Sequence, residues 1–159
     1  MIDLNFLDVH FEIDFEELEE PGESGKDEIC FMISMNPGLP LKPLGSVASG
    51  GELSRIMLAI KAVMADKDEV STLIFDEIDT GISGRTAQKV SEKMALIAQN
   101  HQVLCITHLA QIAAMADFHY IIEKKPAYSK TVTNIGLLTE EESIAELARI
   151  LGGAKITDT

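Results

Sequence analysis

The sequence predicts an α/β fold in which a mostly parallel sheet is flanked by helices and preceded by an antiparallel hairpin. Two observations carry this prediction. Residues 8–15 and 28–35 read as strands joined by a polar loop, which is the pattern of a hairpin. From residue 50 onwards, strand-like apolar runs alternate with helix-like segments, and such alternation is typical of parallel α/β sheets. With 159 residues, the chain suits one compact domain.

The hairpin is predicted from its alternation of apolar and polar residues. Val9, Phe11, Ile13 and Phe15 alternate with polar positions, which indicates a half-buried strand. Residues 16–27 read as an acidic loop rich in Gly and Pro. Residues 36–43 contain three prolines, so no regular element is expected there.

The second part of the chain is predicted element by element. A helix is expected from residue 50 to about 65, with an apolar face formed by Leu53, Ile56, Met57, Ile60 and Met64. Buried strands are expected at 71–75 and 102–107, helices at 85–99 and 109–116, and further strands at 118–124 and 131–138. The last helix, 140–151, begins with a capping box from Thr139 to Glu142 and ends at Gly152-Gly153.

Composition limits the function classes. The formal net charge is −13, and so acidic a surface repels a phosphate backbone. Any contact with DNA is therefore expected through another part of a larger protein. The apolar runs are too short to span a bilayer. Cys30 and Cys105 show no metal-binding spacing and are expected to be buried thiols in a reducing cytosol, although a bridge between them stays open.

The start of the first long helix has two interpretations. Ser49 as the N-cap and Glu52 three residues later form a capping box, which requires no ligand. Capping does not account for Gly50 and Gly51, because glycine in the first helical turn is costly compared with alanine. Two glycines at a helix start also let a phosphate approach free amides and the positive helix end.

Polar side chains follow two apolar strands. Asp76 and Glu77 come directly after the run that ends at Phe75, where ligands of parallel sheets gather. A single carboxylate suits Mg²⁺, which makes Asp76 a candidate metal ligand, and Glu77 could orient or deprotonate an attacking water. His108 follows the second strand. Alone it would be a cap or a surface group, but beside a γ-phosphate it could donate a hydrogen bond.

One part of an ATP site is missing from the sequence. A phosphate loop requires Gly-x-x-x-x-Gly-Lys-Ser/Thr between a strand and a helix. Gly25-Lys26 is the nearest match, but Glu20 stands at the first glycine position and Asp27 at the hydroxyl position. We therefore expect this chain alone to bind ATP weakly or not at all and to show negligible ATPase activity.

Three segments together resemble the heads of ABC-type ATPases. They are residues 48–55 with their Ser-Gly-Gly-Glu core, residues 75–84, and residues 106–111. Within that class the chain is most similar to the RecN family of bacterial DNA repair proteins, which are relatives of the SMC proteins. The resemblance covers essentially the whole chain, and residues 80–83 are its most family-specific part.

The resemblance implies that residues 1–159 are the C-terminal lobe of an ATPase head. The phosphate loop would lie in an N-terminal lobe, beyond a long coiled coil, in a cytoplasmic, nucleoid-associated parent protein. The signature motif, Ser49 to Glu52, would contact ATP bound by a second, identical head. Asp76 would hold Mg²⁺, Glu77 would be the catalytic carboxylate, and His108 the switch histidine.

One position departs from the wider ABC pattern, and two other function classes remain. Ser83 stands where an aspartate usually reaches the opposite head; Ser83 could hydrogen-bond across that interface or cap the helix beginning near Arg85. Asp79 does not replace the missing aspartate.

The alternative functions are a non-enzymatic interaction module and the nucleotide-binding subunit of a transporter. Glu52 and residues 78–83 disfavour the transporter subunit.

Overall fold

The structure is a computed structural model that describes residues 4, 6, 8–35, 38–46, 49–64, 67, 69–127 and 130–152. The chain divides into two compact units, Met1–Ile106 and Thr107–Thr159. The first unit carries the hairpin and the parallel strands, and the second carries an antiparallel pair with two helices. The prediction of a single domain over residues 1–159 stays a prediction.

The chain begins with a long antiparallel hairpin. Strand β1 (His10–Gly22) pairs with β2 (Gly25–Ser34), so the loop predicted at 16–27 is wrong: both strands continue almost to the tip. Only two residues, 23 and 24, form the turn, and Gly25 has a φ of 120°, which favours glycine. Lys26 pairs with Glu17 across the strands. Gly25-Lys26 therefore belongs to a hairpin and not to a phosphate loop.

Burial along the hairpin is less than the alternation predicts. Ile13 is 48% exposed and Phe15 is 62% exposed, so little of the described chain covers this part of the hairpin. A two-residue strand, β3 (Lys42–Pro43), pairs with the edge of β2, where no regular element was expected. Pro43 is tolerated there since an edge strand can lack one N–H donor. Residues 36 and 37 lie outside the described residues.

The next elements confirm the helix–strand alternation. Helix α1 (Gly50–Met64) leads to β4 (Thr72–Phe75), and α2 (Gly84–Ile97) leads to β5 (Gln102–Cys105). β4 and β5 are parallel, with Thr72 opposite Gln102 and Phe75 opposite Cys105. Their carboxyl ends therefore lie at the same edge. The predicted α/β class, with an antiparallel hairpin and a parallel pair flanked by helices, is confirmed.

The core of the first unit lies between α1, α2 and one face of β4. Its apolar members include side chains that are at most 5% exposed: Ile56, Leu58, Phe75, Ile78, Ala87, Val90 and Ile97. Burial of each of the larger side chains in this set stabilises the fold by roughly 1.5–3 kcal/mol. The predicted apolar face of α1 is right for Ile56 but wrong for Met57 and Met64, which are exposed.

The opposite face of the parallel pair is open. Ile74 is 68% exposed, Leu104 46% and Ile106 51%, so the prediction of fully buried strands is wrong on this face. Strands of parallel sheets read as continuous apolar runs because both faces are usually covered. In the described part of the chain, helices cover one face only.

The second unit contains α3 (Ala110–Ala113), β6 (Tyr120–Ala127), β7 (Lys130–Leu137) and α4 (Glu140–Gly152). β6 and β7 form an antiparallel pair, and α3 contacts α4. The predicted capping box is confirmed: Thr139 N–H donates to Glu142 Oε2 at 2.9 Å, and Glu142 N–H donates to Thr139 Oγ1 at 3.3 Å. Among the described helices, none has the length and apolarity needed to cross a membrane.

Candidate functional site: a helix start against an acidic strand end

The start of α1 packs directly on the turn that follows β4. Ser54 Oγ donates a hydrogen bond to the carbonyl oxygen of Asp76 at 2.8 Å. α1 begins at the edge of the unit where β4 ends, since the chain runs along α1 to its far end and returns along β4. The predicted phosphate-facing helix start and the predicted carboxylates are thus brought together within one unit.

Gly51 is required by this packing. A Cβ at Gly51 would lie 2.8 Å from the Glu77 carbonyl oxygen and 3.0 Å from Thr80 Cβ. A Cβ at Gly50 would meet only the carboxylate of Glu77, which is the end of an exposed, flexible side chain and can move aside. Close approach of the turn is therefore a second reason for Gly51, besides the phosphate approach inferred from sequence.

The capping interpretation of Ser49 receives less support. Its carbonyl accepts the Leu53 N–H at 3.0 Å, as the first helical hydrogen bond requires. The reciprocal side-chain bonds of a capping box, found at Thr139 and Glu142, do not occur between Ser49 and Glu52 among the described residues. The Glu77 carboxylate lies close to Gly50 at this helix start.

Glu77 has an unusual backbone. Its φ is 56°, the left-handed region, and it is the one non-glycine residue there in the described part of the chain. Such a conformation costs of the order of 1–3 kcal/mol and is found preferentially at functional sites. The Glu77 N–H donates to Asp76 Oδ1 at 2.9 Å, and the Thr80 N–H donates to the Glu77 carbonyl at 3.0 Å. These bonds hold the two exposed carboxylates in a tight turn.

Sequence reasoning missed the residue that lies beneath this turn. Arg55 is 5% exposed, and its Nη1 donates to the carbonyl oxygens of Ile78 at 3.1 Å and Thr80 at 2.8 Å. Burial lowers the pKa of this guanidinium, while the nearby Glu52 acts to raise it. The available signal was a charged residue on a helix face that otherwise reads as apolar.

The buried side of the strand end is acidic as well. Asp79 is 3% exposed. Burial, with the charges of Asp79 and Asp76, raises the pKa of the Cys105 thiol to about 12. This thiol therefore stays protonated at neutral pH. Cys30 and Cys105 are both free thiols in the structure.

Two predicted site residues lie at element boundaries. Ser83 occupies the N-cap position of α2, but its hydroxyl makes no capping hydrogen bond; its carbonyl accepts the Thr86 N–H at 3.2 Å. His108 is exposed in the segment that precedes α3 and belongs to the second unit. In that segment Thr107 Oγ1 accepts the Leu109 N–H at 3.0 Å.

The residues present supply part of what is needed to bind a nucleotide with Mg²⁺. Asp76 offers one exposed carboxylate at a strand end, which suits Mg²⁺ when water and phosphate supply the other oxygens. No group of three or more His, Cys, Asp and Glu that could hold a metal unaided occurs among the described residues. A phosphate at Gly50 would have to replace the Glu77 carboxylate there. The chain offers no phosphate loop for the remaining phosphates.

The relatives that were found by sequence belong to one family. No model of a known protein family matches the chain. The DNA repair protein RecN of Halalkalibacterium halodurans is 47% identical over 152 residues, which are 93% of this chain and 27% of that protein. RecN of Bacillus subtilis is 50% identical over 136 residues, 86% of this chain and 24% of that protein. The chain thus spans about a quarter of the length of these relatives.

Solved structures with a similar fold are head domains of SMC proteins. An Smc head domain with a coiled coil and joint from Pyrococcus yayanosii covers 92% of this chain, with a TM-score of 0.60 and 21% identity; the chain covers 26% of that structure. A second match is an Smc head from Pyrococcus furiosus, which has an extended coiled coil and is bound to the C-terminal domain of ScpA. It covers 90% of this chain, with a TM-score of 0.52 and 23% identity, and the chain covers 34% of that structure.

The fold is therefore that of an SMC-type head. The sequence matches identify the family more closely than the fold does. Over the segment that it spans, this chain belongs to the RecN family.

Proposed function

We propose that this chain is the C-terminal lobe of an ATP-hydrolysing head in a RecN-type protein that acts in the repair and recombination of broken DNA. The observation that carries the proposal is the packing of the α1 start on the Asp76–Glu77 turn. This packing joins a helix N-terminus with two glycines to two exposed carboxylates, of which Glu77 has a strained backbone. Such groups are the means by which proteins bind phosphate and Mg²⁺ and orient water.

Each site residue has a proposed role. Asp76 holds Mg²⁺, and Glu77 orients the attacking water and accepts its proton. Ser49, Gly50, Gly51 and Glu52 bind the γ-phosphate of ATP carried by the partner head. Mg²⁺ supplies charge neutralisation on the phosphate oxygens when it is bound.

Two further residues have proposed roles. His108 donates a hydrogen bond that depends on the γ-phosphate. Ser83, whose hydroxyl is not used for capping, hydrogen-bonds across the interface between heads.

The proposed cycle requires components outside this chain. A phosphate loop in an N-terminal lobe holds ATP, and two identical heads close on it and reopen after hydrolysis. DNA is contacted by other parts of the parent protein, because a chain with a net charge of −13 repels it. The open apolar face of β4 and β5 supports a requirement for further covering structure. The parent protein works in the cytoplasm at the nucleoid.

Substitution of Glu77 in the full-length parent protein tests the proposal. Glu77→Gln keeps the side chain's size but removes the base, so we expect kcat to fall by about 100-fold or more while ATP still binds. ATP-bound head dimers should then accumulate in size-exclusion chromatography with light scattering. The matched control is Glu69→Gln, an exposed carboxylate shortly before β4, which should leave both measurements unchanged. Unchanged hydrolysis by Glu77→Gln would rule out the role given to Glu77.

A further inference from the structure

Arg55 is a buried charge with no role in the functions assigned so far. It lies in the second turn of α1 and is 5% exposed. Removing a guanidinium from water costs several kcal/mol unless hydrogen bonds compensate it. An apolar residue would fill this position of a core helix at lower cost. The groups that the guanidinium contacts should therefore explain why a charged residue is buried here.

Those groups belong to the turn that carries Glu77. A single nitrogen, Nη1, bonds the carbonyl oxygens of Ile78 at 3.1 Å and Thr80 at 2.8 Å. The guanidinium carbon lies 5.7 Å from the centre of the Phe6 ring, which shields the cation from water. Nε is buried and has no partner among the described residues. All the hydrogen bonds that the structure gives this guanidinium thus go to one turn.

A second contact holds the other side of Glu77. Ser54, the neighbour of Arg55 in α1, bonds the carbonyl oxygen of Asp76 at 2.8 Å. Gly51, one helical turn earlier, allows the Glu77 carbonyl to approach α1 closely. The backbone before, at and after Glu77 is therefore fixed to the first two turns of one helix.

We propose that Arg55 is a positioning residue that clamps the Glu77 turn to the start of α1, so that the water-orienting carboxylate keeps a fixed position. The inference rests on the proposed function. Arg55 acts through the carbonyls of Ile78 and Thr80 and touches no reacting atom. The clamp also maintains the left-handed backbone of Glu77, which would otherwise relax.

The test uses Arg55→Met in the full-length parent protein. Methionine keeps much of the aliphatic stem but donates no hydrogen bond. We expect kcat to fall about 10-fold or more, with the Kd for ATP within about threefold of the original, because the clamp affects geometry and not nucleotide affinity. Lys89→Met, which removes a charge from the outer side of α2, is the control and should change neither value.

Hydrogen exchange supplies a readout that does not depend on turnover. The Thr80 amide is bonded to the Glu77 carbonyl within the clamped turn. Arg55→Met should accelerate its exchange about 10-fold or more, while amides in the middle of α2 keep their rates. In a Glu77→Gln background, Arg55→Met should cause no further fall in kcat, since both changes act on the same group.

Arg55→Lys extends the test if the methionine variant does not fold. The ammonium keeps the charge and can reach one carbonyl, so we expect a smaller fall in kcat, about three- to tenfold. Unchanged exchange at Thr80, or an unchanged kcat despite faster exchange, would overturn the clamp. Full turnover by Glu77→Gln alone would instead refute the proposed function, and the exchange rates would still decide whether Arg55 holds the turn.

Discussion

At the scale of single residues, Gly50 and Gly51 show how one sequence feature can serve two requirements. Glycine in the first turn of a helix is less favourable than alanine by up to about 1 kcal/mol. Here the missing side chains admit the Glu77–Thr80 turn, and Gly51 is buried against its backbone. The same absence of side chains leaves the amides of the helix start accessible to an anion. The two explanations are compatible, and the packing requirement can be measured separately.

Gly51→Ala should therefore destabilise the chain. The added methyl group would lie 2.8 Å from the Glu77 carbonyl oxygen, which is backbone and cannot move aside cheaply. We expect the free energy of unfolding to fall by about 1–3 kcal/mol in urea denaturation, even though alanine favours the helix. Gly45→Ala is the matched control, since a Cβ there meets nothing within 4 Å and should change stability by less than about 0.5 kcal/mol. Equal stability of the two variants would contradict the packing.

Sequence motifs identify the individual site residues, but they do not predict the geometry of those residues. The acids at 76 and 77 and the glycines at 50 and 51 are visible in sequence because their chemistry is unusual after a strand or at a helix start. The left-handed backbone of Glu77 is not visible, since glutamate has no preference for that conformation. The role of Arg55 was also hidden, because burial of a charge depends on which turn packs above it.

At the scale of elements, one of the two capping boxes that the sequence predicts is confirmed, and the other, at Ser49 and Glu52, lacks its reciprocal side-chain bonds among the described residues. The box from Thr139 to Glu142 begins α4 as expected, with both reciprocal bonds present. The loop predicted at 16–27 is wrong because acidic residues, glycine and proline also occur in exposed strands and tight turns, and exposed strands tolerate charged side chains. The parallel strands were found by their apolar runs, but the runs do not tell which face is covered.

The capping box predicts a pH dependence for α4. Hydrogen bonds from the Thr139 backbone and side chain lower the pKa of Glu142 from its usual 4.5. A carboxylate with a lowered folded-state pKa stabilises the fold above the unfolded-state value, and the contribution is lost as the pH falls through the folded-state value. Glu142→Gln should therefore lower the melting temperature at pH 7 more than Glu141→Gln does, although both remove one acid from the same turn.

The difference between these two variants should disappear in acid. Protonated Glu142 and glutamine are both neutral, so the charge-assisted bond to the Thr139 N–H is absent from each. Calorimetric scans of both variants, from pH 7 down to below the folded-state pKa of Glu142, measure the difference in melting temperature. A difference that persisted at low pH would mean that the Glu142 charge does not stabilise the helix start.

At the scale of the whole molecule, the chain combines a site that is partly built with a surface that is partly uncovered. The fold class followed from the order of strands and helices, which is a property of the entire sequence. The division into the units Met1–Ile106 and Thr107–Thr159 did not, because no Gly/Pro-rich linker marks it. Ile74, Leu104 and Ile106 are exposed on a face that parallel sheets normally cover.

The central claim is that this lobe contributes catalytic groups to ATP hydrolysis but lacks the phosphate loop needed to hold ATP. Steady-state ATP hydrolysis, measured for the purified chain alone and for the chain assembled with the lobe that carries the phosphate loop, tests it most directly. We predict negligible turnover by the chain alone and restored, Glu77-dependent turnover in the assembly, because each lobe supplies groups that the other lacks. Robust turnover by the chain alone that is lost in Glu77→Gln would contradict the claim.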